Sequence, residues 1–134
     1  MRAYILGGLV VAGIVLAAGT MKAHHSFAAE FDANKPVNLR GPVTRIEWIN
    51  PHAWIYVDVK KPNGTIENWA VEMGSPNTLL RRGLKKTDLP PGAALKVSGF
   101  QARDATAKAN GVNVTFSDGR ALSISSIGTG APAN

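Results

Sequence analysis

From Val37 onward the chain alternates apolar and polar residues, which predicts strands rather than helices. Val37, Leu39 and Val43 share one parity, and Ile46 and Trp48 take the other. A slip of one residue in a two-residue period is what a β-bulge or sharp bend produces, and Gly41-Pro42 supplies the bend. After the turn dipeptide Asn50-Pro51 the pattern resumes, with Ala53, Ile55, Val57 and Val59 on one face and Trp54, Tyr56 and Asp58 on the other. Lys61-Pro62-Asn63-Gly64 reads as a hairpin turn, since Asn-Gly tolerates positive φ. Thr65 to Met73 follows as a third strand, with Trp69, Val71 and Met73 opposite Asn68, Ala70 and Glu72. Ser75 and Pro76 are the cap and first residue of a short helix through Arg82, closed by Gly83. Leu95 to Phe100 is a fourth strand, and the weakly apolar stretch from Arg103 to Gly111 is expected to be an exposed loop. Val112, Val114 and Phe116 alternate again, and a turn at Ser117 to Arg120 leads to Leu122, Ile124 and Ile127.

Three strands, a short helix, then two or three more strands is the order of a small OB-type barrel, all-β with five to six strands and one helix. A plain β-sandwich is the alternative. The expected organisation is a leader over 1–23, an arm over 24–36, the barrel over 37–127 and a disordered tail over 128–134. In an OB-type arrangement the first and fourth interstrand loops flank the usual binding face. Here these are Asn50-Pro51-His52 and Arg103 to Gly111.

The beginning of the chain changes the picture. Tyr4 to Ala18 is an unbroken apolar and glycine run behind Arg2, too short for the ~20 residues that span a bilayer. It reads as a secretory signal peptide, with an uncleaved anchor as the alternative, and implies a periplasmic or secreted protein with no stable membrane span after processing. Cleavage fits after Gly19 or after Ala23, and the second leaves His24 as the mature N-terminus. There is no cysteine, so disulfides, lipid attachment through Cys and thiolate metal sites are excluded. The formal net charge is +6; loss of Arg2 and Lys22 with the leader reduces it to +4. That mild basicity in an exported chain does not point to nucleic acid.

Several motifs together carry a resemblance: His24-His25-Ser26-Phe27-Ala28-Ala29-Glu30-Phe31-Asp32, Gly41-x-Val43-Thr44, Glu47-Trp48-x-Asn50-Pro51-His52-Ala53-Trp54, and Trp69-x-x-Glu72 with Gly74-Ser75-Pro76-Asn77 and Leu79. The chain resembles, over nearly all of residues 24 to 122, a bacterial family of small exported proteins known only as domain of unknown function 6152. The resemblance implies an exported, OB-like β-barrel and no established activity.

The candidate chemistry rests on the three histidines, His24, His25 and His52. Neutral imidazole is the commonest side-chain ligand for copper, zinc and nickel. A mature N-terminus at His24 adds an α-amino group, and amine plus imidazole plus one further histidine suits Cu(II). Glu47, Glu72 and Asp32 are candidate oxygen ligands or acceptors that orient a histidine. The favoured reading is a small exported protein that binds copper, with a periplasmic protein as a further partner. The alternative is a non-catalytic module that binds a protein, peptide or saccharide through an aromatic face carrying Trp54 and Tyr56. Trp48 and Trp69 are expected in the core. No nucleophile motif or phosphate-binding glycine loop is present, so the chain does not read as an enzyme.

Overall fold

The computed structural model describes residues 26–126 and 129–132. One helical turn, α1 (Phe27–Glu30), leads into the long strand β1 (Phe31–Glu47). Then come β2 (Trp54–Lys60), β3 (Ile66–Glu72), α2 (Pro76–Arg81), a 3₁₀ turn (Lys86–Asp88), β4 (Ala94–Ala102), β5 (Lys108–Phe116) and β6 (Ala121–Ser123). The strand order is β3-β2-β1-β4-β5-β6, and β3 also pairs with β5. Five strands therefore close a ring, with β6 added outside it. The fold is all-β, and the closed ring excludes the sandwich alternative.

Closure depends on β1 serving two partners. Its first part, from Phe31 to Pro42, pairs with β4, and its second part, from Val43 to Glu47, pairs with β2. The register shifts between Val43 and Arg45, where the apolar parity slips in the sequence. The ring is antiparallel throughout except at the β3–β5 seam, where Ala70, Val71 and Glu72 pair in parallel with Lys108, Ala109 and Asn110.

Inward-facing residues of all five strands form one core. Val43, Ile55, Val57, Val71, Val97 and Val114 are almost wholly enclosed, and α2 adds Leu79. Trp69 lies in this core and Trp48 is partly buried against it. Gly41 sits where β1 runs against β2, and a β-carbon there would overlap the carbonyl oxygen of Asp58.

The helix α2 begins as its sequence dictates. Thr78 N–H donates to the Ser75 hydroxyl oxygen at 3.3 Å, and Pro76 occupies the first turn, where no N–H is needed. Ser75→Ala should cost about 1 kcal/mol, the usual value of an N-cap, measurable by urea unfolding with an unchanged slope.

Four sequence expectations need correction. The first strand begins at Phe31, six residues before Val37, because the preceding helical turn docks Phe27 and Phe31 on the ring. The stretch from Arg103 to Gly111 is a loop only in its first part, since β5 starts at Lys108. Asn110-Gly111 looks like a turn dipeptide, yet Gly111 lies within the strand. A β-carbon there would come within 2.6 Å of Ile124 Cδ1 and 2.9 Å of Val71 Cγ1, so close packing explains the glycine. The actual turn is tied by Thr106, whose hydroxyl and N–H bond the Asp104 carboxylate and hold it below the usual carboxylate range. The tail, expected to be disordered, contributes Thr129, whose carbonyl accepts from Phe27 N–H at 2.7 Å, and Ala131, packed on the Phe27–Phe31 cluster. Small residues in a tail carry no pattern, and only the apolar patch they cover gives them a place. Finally, the aromatic strip is not bare: Trp54 and Tyr56 are half-buried, and the Arg45 guanidinium lies 3.8 Å from the Tyr56 ring centre. The bulge in β1 puts Arg45 directly opposite Tyr56.

Candidate functional site

His52 follows the Asn50-Pro51 turn, whose peptide bond is cis, and β2 begins two residues later, at Trp54. Ala53 N–H donates to Gly74 O and Met73 N–H donates to Ala53 O, which clamps the end of this loop to the end of β3. The His52 side chain is only 13% exposed, so it is seated rather than displayed on a loop tip.

Its hydrogen bonds select the tautomer. Nδ1 is 3.1 Å from the Met73 carbonyl oxygen, which can only accept, so Nδ1 carries the proton. The Ser126 hydroxyl donates to the same carbonyl at 3.2 Å and lies 3.1 Å from Nδ1. The lone pair of the neutral ring is then on Nε2, the arrangement found where a histidine donates one nitrogen to the protein and offers the other to a metal.

Glu72 is 6% exposed, and its Oε1 lies 3.8 Å from His52 Nδ1. It points away from the core that holds its neighbour Val71, and it is covered from outside the ring. Asn110, its partner across the parallel seam, donates from Nδ2 to Glu72 Oε1 at 3.4 Å. Asn110 is 1% exposed, and its Oδ1 has no hydrogen-bond partner among the described residues. The reverse amide orientation would face that oxygen to a carboxylate, so Glu72 holds the unsatisfied acceptor in place. A buried acceptor in this state is costly unless a donor or cation meets it.

The cover over this seam includes the arm. Phe27 stacks on Phe31 at 5.8 Å between ring centres and meets Phe100 edge-on at 5.6 Å. Arg103 Nε donates to Ala28 O at 2.7 Å, and Lys108 Nζ pairs with Glu30 at 3.1 Å. Phe100 is the β4 partner of Asn110, which in turn is the β5 partner of Glu72.

Of the candidate oxygen groups, the structure brings only Glu72 beside His52. Glu47 pairs with Arg45 on the surface, and Asp32 accepts from Asn34 N–H at 2.9 Å in a local turn. His24 and His25 lie outside the described residues. Among the described residues no group of three or more His, Asp or Glu is placed to hold a metal ion. Sequence reasoning missed Asn110 and Ser126. Asn-Gly pointed to a turn, and one serine among Ser123, Ser125 and Ser126 carried no signal.

A small all-β protein with a seated histidine and a buried carboxylate–amide pair is the class these features define. The model of a family of unknown function, DUF6152, matches residues 11–113. The chain belongs to that family. No curated protein and no solved structure matches it. Among the described residues, no helix is long and apolar enough to cross a membrane.

Proposed function

We propose that this is an exported, periplasmic protein that binds a transition metal, copper in first place, without catalysing a reaction. The observation that carries the reading is the seating of His52: its Nδ1 lies 3.1 Å from Met73 O, which leaves Nε2 as the proposed ligand atom. His24 and His25 supply the remaining nitrogens, together with the α-amino group if processing cuts before His24.

Two further features support it. Phe27 anchors on Phe100, which lies two strand spacings, roughly 10 Å, from Glu72. His25 is two residues before Phe27, and two residues span up to about 7 Å. The described part of the arm thus lies on the same face of the ring as Glu72 and Asn110, and His24 and His25 precede it in the sequence. Glu72 places a carboxylate beside the ring, a group that favours a bound cation when ionised.

The test is the intact mass of the exported protein with and without Cu(II), combined with N-terminal sequencing. The expected result is a mature chain starting at His24 that takes up one copper ion. A mature chain starting at Thr20 would remove the amine ligand. Absence of copper uptake would overturn the metal reading and favour the interaction module.

A further inference from the structure

On the outer face of β1, β4 and β5, the rows of side chains follow from the register. Arg40 is directly opposite Lys96, and Lys96 is directly opposite Thr115. One residue pair along, Asn38 faces Ser98, which faces Asn113, which faces Ser123 of β6. Three shallow depressions of about 270, 360 and 200 Å³ run together along this face, the first two sharing Arg40 and Lys96, the last two Asn38 and Ser98.

Two cations in directly opposed positions repel each other, and sheets ordinarily avoid that pairing. Neither Arg40 nor Lys96 has a carboxylate within ion-pair distance among the described residues, although other surface cations do: Arg45, Lys61 and Lys108 each have one. The rows themselves contain no acidic residue. Both side chains are exposed, and neither packs in the core. The fold has no use for this pair, whereas an anion held between the two would convert repulsion into attraction.

The neighbouring row narrows the ligand. Asn38, Ser98, Asn113 and Ser123 offer amide and hydroxyl groups that both donate and accept, which matches a hydroxyl-rich molecule. A lipid surface fits less well, since the large exposed apolar residues, Ile49, Ile66 and Leu80, belong to none of these rows. We propose that this groove binds an acidic saccharide, its carboxylate or phosphate between Arg40 and Lys96 and its hydroxyls on the Asn38–Ser98–Asn113 row.

The experiment is calorimetric titration of the purified protein with a uronic-acid oligosaccharide, with the neutral oligosaccharide of equal length, and with anionic phospholipid vesicles. Arg40→Gln and Lys96→Gln should each weaken the acidic oligosaccharide about tenfold, the usual effect of losing one charge-assisted hydrogen bond. Both variants should keep or raise the melting temperature, because a like-charge contact is removed. Lys85→Gln with Lys86→Gln removes two exposed charges elsewhere and should leave binding unchanged. Equal binding of the neutral oligosaccharide, an equal loss in the Lys85/Lys86 variant, or binding to vesicles alone would each overturn the proposal. None of these outcomes depends on copper uptake, so the groove and the metal site stand or fall separately.

Discussion

Gly41→Ala is expected to destabilise the protein by about 3 kcal/mol or more, lowering the melting temperature by about 15 °C or more. The added methyl group would overlap the carbonyl oxygen of Asp58 and lie 2.8 Å from its carbonyl carbon, with Val57 Cγ1 beyond at 3.4 Å. A clash with a flexible side chain is relieved by a change of rotamer. A clash with the backbone of a paired strand is relieved only by moving the strand. Here β1 is held on both edges, by β2 from Val43 onward and by β4 through Gly41 to Leu95, so it cannot yield to one partner without losing the other. Two-state domains of this size are stable by only about 5–15 kcal/mol, so the loss is a large part of the total. Gly64→Ala is the control. Gly64 has φ of +86° and nothing within 4 Å of an added β-carbon, so it should show only the backbone cost, about 1 kcal/mol. Thermal and urea unfolding of the two variants checks both values. Near-equal stability would show that β1 and β2 do not approach as closely as described.

His52→Ala should weaken Cu(II) binding by about a hundredfold or more while the protein stays folded. Loss of a residue that merely orients a ligand costs about 10–100-fold in metal affinity, and loss of the ligand itself should exceed that range. The fold should tolerate the change, because the Met73 carbonyl keeps the Ser126 hydroxyl as a donor at 3.2 Å. One hydrogen bond is lost, worth about 1 kcal/mol. Copper affinity measured by competition with a chelator, alongside urea unfolding, separates the two effects. Histidine ligates only when neutral, so copper binding of the parent should weaken as the pH falls. If the alanine variant binds copper as tightly as the parent, the fold takes no part, and His24-His25 acts as a chelating segment by itself. The reading that places a partner on Trp54 and Tyr56 would then move ahead, although Arg45 already covers one face of Tyr56.

Most of the ring was legible because its strands alternate in period two and its turns carry their own chemistry. Asn63-Gly64 and Ser117 to Gly119 were readable as turns, and Ser75-Pro76 was readable as a helix start. The bend in β1 was visible as a slip in parity, which the structure locates between Val43 and Arg45. The misreadings share one cause. Asn110-Gly111 and the tail around Thr129 have weak or contrary local signals, and each is given its place by a contact more than 20 residues away in sequence.

What the sequence determined by itself is the all-β class, the strand–helix order and the presence of three histidines without cysteine. These follow from local periodicity, capping and composition, which act over a few residues. The tertiary structure alone decided which polar residues meet. It put Glu72 beside His52 and Asn110 beside Glu72, set Glu47 and Asp32 aside, and laid the Phe27 arm near that seam. The parallel pairing of β3 with β5 leaves no mark on either strand, because each strand's alternation is the same whichever neighbour it takes. Ring closure makes that choice: once β1 is shared between β2 and β4, β3 and β5 are the two edges left to join, and Glu72 and Asn110 meet on the seam between them.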